Sequence, residues 1–185
     1  MRCFKFSTAC LILLAAAPVR ADLESGPTVG EKVQPLKVYA VTGQVKQKSV
    51  DYSTHRKAKP TIYIFLQAKR FSRPMARFLR KLDETVQKTD GAYIVAVWLT
   101  DDKTKTKNYL PRADRSLKPE ATAYTLYPNA TVSPDGWGIN SDADVTAVVA
   151  NHGKVTAVFA YRSLNETDVP KVVKAFKKSL KGPGK

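Results

Sequence analysis

Residues 61–86 read TIYIFLQAKRFSRPMARFLRKLDETV, and their patterning decides the fold. Thr61 to Leu66 is an unbroken apolar run, rich in β-branched and aromatic residues, behind Pro60. Such a run reads as a strand buried on both faces. Met75, Phe78, Leu79, Leu82 and Val86 follow at spacings that line one face of a helix. Ser72 stands where an N-cap belongs, and Pro74 where a first-turn proline is tolerated. The stretch is a strand, a tight turn and a helix.

Outward from it, Ala92 to Leu99 (AYIVAVWL) is a second apolar strand, so the unit is βαβ with a right-handed crossover. Upstream, 36–41 and 45–50 read as strands joined by Thr42-Gly43-Gln44, an N-terminal β-hairpin. Residues 22–35 are an extended lead-in, and 53–60 (STHRKAKP) a basic loop. Asp101 is placed to cap a helix over about 102–116, which Pro111 should kink or end. Residues 117–136 carry three prolines, Pro119, Pro128 and Pro134, and read as loop with one short strand near 121–126. Two β-rich runs, 145–150 and 155–161, flank a Gly-containing turn and form a hairpin. The last element is a helix over about 168–180, buried along Val169, Val172, Val173, Phe176 and Leu180 and wet along its lysines. Residues 182–185 read as a disordered tail.

Three blocks of residues carry a resemblance. Phe71-Ser72-Arg73-Pro74-Met75 resembles the aromatic-Cys-x-Pro-Cys element of thioredoxins and secreted thiol oxidoreductases. Val29-Gly30 through Pro35-Leu36 resembles the opening of the peroxiredoxin and secreted-thioredoxin (redoxin) branch. Trp137-Gly138-Ile139 with the 145–155 hairpin resembles that family's aromatic-Gly-Val and cis-Pro-Thr region. The resemblance implies a thioredoxin-like three-layer α/β sandwich over 36–181: a central mixed sheet with helices on both faces, preceded by the hairpin. It also marks what is replaced. Both cysteine positions hold other residues, Ser72 and Met75, and the cis-proline position holds Val145, whose peptide should be trans. The buried carboxylate position on the central strand holds Leu66. The family chemistry needs a low-pKa thiolate and a resolving thiol. Neither is present.

Residues 1–21 carry the pattern of a secretory signal peptide: Arg2 and Lys5, an apolar centre over 11–17, and Val19-Arg20-Ala21 as a small-x-small cleavage site. Both cysteines, Cys3 and Cys10, fall inside it, so a mature chain from Asp22 would contain none. That excludes structural disulfides, thiol catalysis and cysteine-ligated zinc together. The formal charge is +15, and Arg2, Lys5 and Arg20 are the only charged residues of 1–21, which leaves +12 afterwards. Such a charge favours an anionic partner, although dispersed lysines also serve plain solubility.

No other chemistry stands out. Serine catalysis at Ser72 would need a base in reach, and the only histidines are His55 and His152. Asp135, Asn140, Asp142 and Asp144 have the composition of a turn and lack the spacing of a calcium loop. No cofactor or metal is expected. The strongest binding candidate is the basic stretch around the turn, Lys69, Arg70, Phe71, Arg73 and Arg77, beside the open N–H groups of a helix start. The expectation is a secreted or periplasmic, redox-inactive, non-catalytic binding or accessory module for a protein partner or an anionic envelope component, with nucleic acid not expected. The rival readings are an auxiliary of a thiol oxidoreductase, a thiol-independent enzyme, and a purely electrostatic binder of an anionic polymer. Asn129 and Asn165 open sequons that matter only where exported proteins are glycosylated.

Overall fold

In the computed structural model, residues 23–181 are described, and the signal-like segment, both cysteines and the tail from 182 lie outside them. Seven strands form one mixed sheet: β1 (Lys37–Ala40), β2 (Lys48–Asp51), β3 (Thr61–Gln67), β4 (Tyr93–Leu99), β5 (Thr122–Tyr127), β6 (Val145–Asn151) and β7 (Lys154–Tyr161), in the order β2-β1-β5-β4-β3-β6-β7. The helices are α1 (Tyr52–Arg56), α2 (Arg73–Val86), α3 (Lys103–Leu117) and α4 (Val169–Leu180). β3 lies parallel to β4, and β4 to β5, while β6 and β7 return antiparallel. Every residue of β3, β4 and β6 is buried, as their apolar runs require.

Side-chain parity sorts the two faces. Leu66 pairs with Trp98 and Trp98 with Leu126, so these point one way, while Tyr63, Phe65 and Tyr93 point the other. The β3–α2–β4 and β4–α3–β5 crossovers step in the same direction along the sheet. Right-handed connections therefore put α2 and α3 on the same face, where α4 packs beside α2. The other face is covered by the short α1 and by irregular chain. There Trp137 packs on Tyr63 and Phe65 at 5.0 and 4.9 Å, and Arg56 lies over the Tyr93 ring at 5.0 Å. The sandwich has its three layers, and they are unequal.

Several elements differ from the expectation. The basic loop over 53–60 begins as α1, because Asp51 caps it through Ser53 N–H and oxygen contacts, and Tyr52 and Arg56 are buried. The returning strand of the hairpin is 48–51 rather than 45–50, since Gly43 needs a positive φ and room beneath Tyr93 and Ala123, which widens the turn. The third helix starts one residue later than read: Asp102 caps it by accepting from Lys105 N–H. Pro111 does not end that helix, which runs on to Leu117 with Leu110 and Ala113 anchored on the sheet. The lead-in does more than extend. Gly30 N–H donates to Val155 O, Val155 N–H to Glu31 O and Val33 N–H to Gly153 O, which ties it to the start of β7. No peptide among the described residues is cis, so Val145 simply opens β6 opposite Leu66.

Candidate functional site

The C-terminal ends of β3, β4 and β5 open onto one rim, the usual place for a site in a parallel sheet. Three loops meet there: 68–72 after β3, 100–102 after β4 and 128–132 after β5. They are stitched by charge. Lys69 Nζ donates to Asp101 Oδ2 at 3.1 Å, and Asp101 Oδ1 accepts from Ala130 N–H at 3.0 Å. Arg70 donates to Asp144 Oδ1 at 2.9 Å, joining the 68–72 loop to the segment that leads into β6. Arg77 pairs with Glu166 at 2.9 Å, linking α2 to the turn before α4.

The predicted anion surface is thus largely self-neutralised. Lys69, Arg70 and Arg77 each hold a carboxylate of the chain, Phe71 is half-buried against Trp98, and among the described residues only Arg73 of that set stands exposed without an ion pair. A sequence shows the lysines and arginines of a rim but not the acids that folding brings from other loops.

At the turn itself, Ser72 is exposed and has the extended backbone of an N-cap, yet its hydroxyl makes no capping bond; only its carbonyl is used, accepting from Ala76 N–H. Its role as a cap is therefore one of backbone alone. Pro74 and Arg73 are exposed in the first turn, and Met75 turns inward and is buried in the core. The histidines do not approach. His55 precedes β3, and His152 follows β6 where Ala150 pairs with Thr61, so both sit at the far end of a strand about 20 Å long. Ser72 has no base. In the 135–144 loop, Asp144 holds Arg70, and Asp142 is used through its backbone, its N–H donating to Asn140 Oδ1 in a turn. Among the described residues, no three His, Cys, Asp or Glu side chains gather as a metal site would require.

Two features escaped the sequence reading. One is Asp83, buried on the inner face of α2, whose carboxylate accepts from Glu120 N–H, Ala121 N–H and the Thr122 hydroxyl. It stands four residues after Leu79 and three before Val86, an acid within an apolar stripe, which was the available signal. It pins α2 to the start of β5. The other is a cleft of about 620 Å³ between the 68–71 loop and α3, walled by Phe71, Trp98 and Tyr109. Its signal was Trp98 near the C-terminal end of a buried strand.

Asp101 gives a pH test of the rim. The Ala130 N–H, and then Lys69, hold its carboxyl below the usual carboxylate range. A carboxyl held low in the folded state stabilises the fold above its unfolded pKa of about 3.9, and that stabilisation is lost as pH falls through the folded value. The expected result is that the 128–132 loop loosens first on acidification below about pH 4. Hydrogen exchange of Ala130 should report it, and Asp101→Asn should flatten the dependence; an unchanged profile in that variant would assign the loosening elsewhere.

This arrangement defines the class of fold: a mixed sheet with a parallel β3–α2–β4 unit and an antiparallel β6–β7 hairpin is thioredoxin-like. Solved structures with the same fold include a protein described as the thiol:disulfide interchange protein DsbE from Chlorobium tepidum, at 15% identity and TM-score 0.61, covering 83% of this chain and 99% of that one. The protein AhpC of Mycobacterium tuberculosis is similar at 16% identity and TM-score 0.57, covering 83% of this chain and 98% of that one. The exposed lipoprotein thioredoxin Etrx1 of Streptococcus pneumoniae is similar at 14% identity and TM-score 0.51, covering 78% and 99%. No family model and no curated protein matches the chain.

Proposed function

We propose that this chain is a redox-inactive, non-catalytic binding module on a thioredoxin-like frame, acting outside the cytoplasm. One observation carries the reading: the turn where the fold houses its thiols presents an exposed Ser72 and a buried Met75, and no cysteine occurs anywhere after Cys10. Neither side chain can form or resolve a mixed disulfide, and peroxide reduction needs a thiolate just as much. What is left at the rim is recognition through Arg73, Phe71 and the paired cations beside them. The export pattern of residues 1–21 supports an extracytoplasmic place, as does the likeness to a lipoprotein thioredoxin described as exposed. Among the described residues no helix is long and apolar enough to cross a membrane.

Affinity capture tests it, with the purified mature protein on an extracytoplasmic extract, washed at low and then high salt. A single protein held at high salt is the expected result. Anionic polymer that elutes with salt would reduce the interaction to charge, since screening at high ionic strength removes exposed electrostatics.

A further inference from the structure

We propose that the cleft between the 68–71 loop and α3 binds a small aromatic carboxylate. The inference goes beyond docking of a protein at the rim, although Phe71 and Lys69 border both. Three aromatic rings from three separate elements face the cleft. Phe71 lies 5.5 Å from Trp98 and 6.1 Å from Tyr109, both tilted or edge-on, so an added planar group finds ring faces and edges of the preferred geometry. Tyr109 is 42% exposed, one of three large hydrophobic residues open to solvent among the described residues. The volume of about 620 Å³ suits a ring with a short acidic tail, well inside the range of small-molecule sites, about 300–1,000 Å³.

Two independent features then set the ligand's chemistry. Trp98 is 1% exposed, and its indole Nε1–H is buried with no hydrogen-bond acceptor among the described residues. A buried donor left unmade is costly, and an incoming oxygen would satisfy it once Phe71 shifts off the ring. Lys105 and Arg112 stand seven residues apart on α3, on one face, with Asn108 between them. Among the described residues neither is in an ion pair. The acid on the lining, Asp102, already spends an oxygen on Lys105 N–H as the helix cap. The cleft therefore offers an aromatic floor, one orphan donor and two free cations, a complement to an aromatic ring that carries a carboxylate. The groove on the other side of α3 lacks this: Lys107 already covers its Tyr39 ring at 4.5 Å, and among the described residues no orphan donor lines it.

The chain has two tryptophans, so its indole N–H spectrum contains its own control. Trp137 Nε1–H already donates to Pro35 O on the opposite face of the sheet. Titration of ¹⁵N-labelled protein with phenylpropionate should move the Trp98 indole signal downfield and leave that of Trp137 in place. Phenethylamine, which has the ring without the acid, and propionate, which has the acid without the ring, should move neither at the same concentration. Replacing both Lys105→Ala and Arg112→Ala, which are exposed and leave the core intact, should weaken phenylpropionate about tenfold. The proposal falls if Trp98 does not respond, if phenethylamine binds as well, or if the double variant binds like the parent. None of these outcomes bears on whether a protein is captured at high salt, so the two readings fail separately.

Discussion

Trp137→Ala is expected to destabilise the protein by about 3–5 kcal/mol, the cost of emptying a large aromatic site in a core that cannot fully collapse. Trp137 is fully buried, its ring rests on Tyr63 and Phe65, and its indole N–H donates to Pro35 O at 3.1 Å. Among the described residues, that face of the sheet carries no long helix to close over the gap. The seal is made of single strands of chain: Gly26 N–H donates to Gly138 O, and the Ser25 and Thr146 hydroxyls share a 2.6 Å bond. Loss of the ring should therefore also free the lead-in. Against a total of roughly 5–15 kcal/mol for a domain, the change is large. Urea unfolding measures it, and hydrogen exchange at Gly30 and Val33 shows whether the lead-in lifts from β7 as well. A loss under about 1 kcal/mol would mean that Trp137 does not seal this face. Trp137→Phe keeps a ring and loses the bond to Pro35, and should fall between the two.

The second large effect is a gain. Ser72→Cys with Met75→Cys, in a background without Cys3 and Cys10, is expected to create a reducible disulfide where the parent has no thiol. Ser72 is the N-cap of α2 and Met75 the third residue of its first turn, so the two positions flank one turn of helix. A thiol at position 72 would face the open N–H groups of that turn and ionise below the usual cysteine pKa of about 8.5. The cost is at Met75, whose buried side chain would be truncated at roughly 1–2 kcal/mol. Thiol titration of the unfolded protein, before and after reduction, gives the result. Bond formation without efficient turnover is the expected outcome, because the resemblance sets Leu66 and Val145 against the carboxylate and the cis-proline, and Val145 stays in regular β6 pairing. If no bond forms, the turn does not superpose on the thiol motif and the reading of the rim as a former active site is wrong.

The elements that were legible in the sequence are those whose burial is complete. β3, β4 and β6 are buried at every position and mostly apolar because they are covered on both sides, and α2 and α4 each carry a largely apolar inner stripe. Elements held by a few specific contacts were not. α1 is five residues long and exists because the Asp51 carboxylate caps it, Tyr52 fits under the sheet and Arg56 reaches the Gly91 carbonyl. Pro111 would break an isolated helix, but α3 is anchored through Leu110 and Ala113. The rim followed the same division. Its cations were plain in the sequence, whereas Asp101, Asp144 and Glu166 reach them across 32, 74 and 89 residues of chain.

By itself the sequence determined the sheet's central strands, the placing of α2 after them and the absence of any thiol in that turn. Each follows from local patterning or from residue identity, which need no knowledge of distant contacts. The tertiary structure alone decided that the three long helices share one face, that the rim's charges are spent on one another, and that Trp98 is left with an unmet donor beside a cleft. Those depend on which side each crossover passes and on what a long-range fold brings within 3 Å, where electrostatics and hydrogen bonds act.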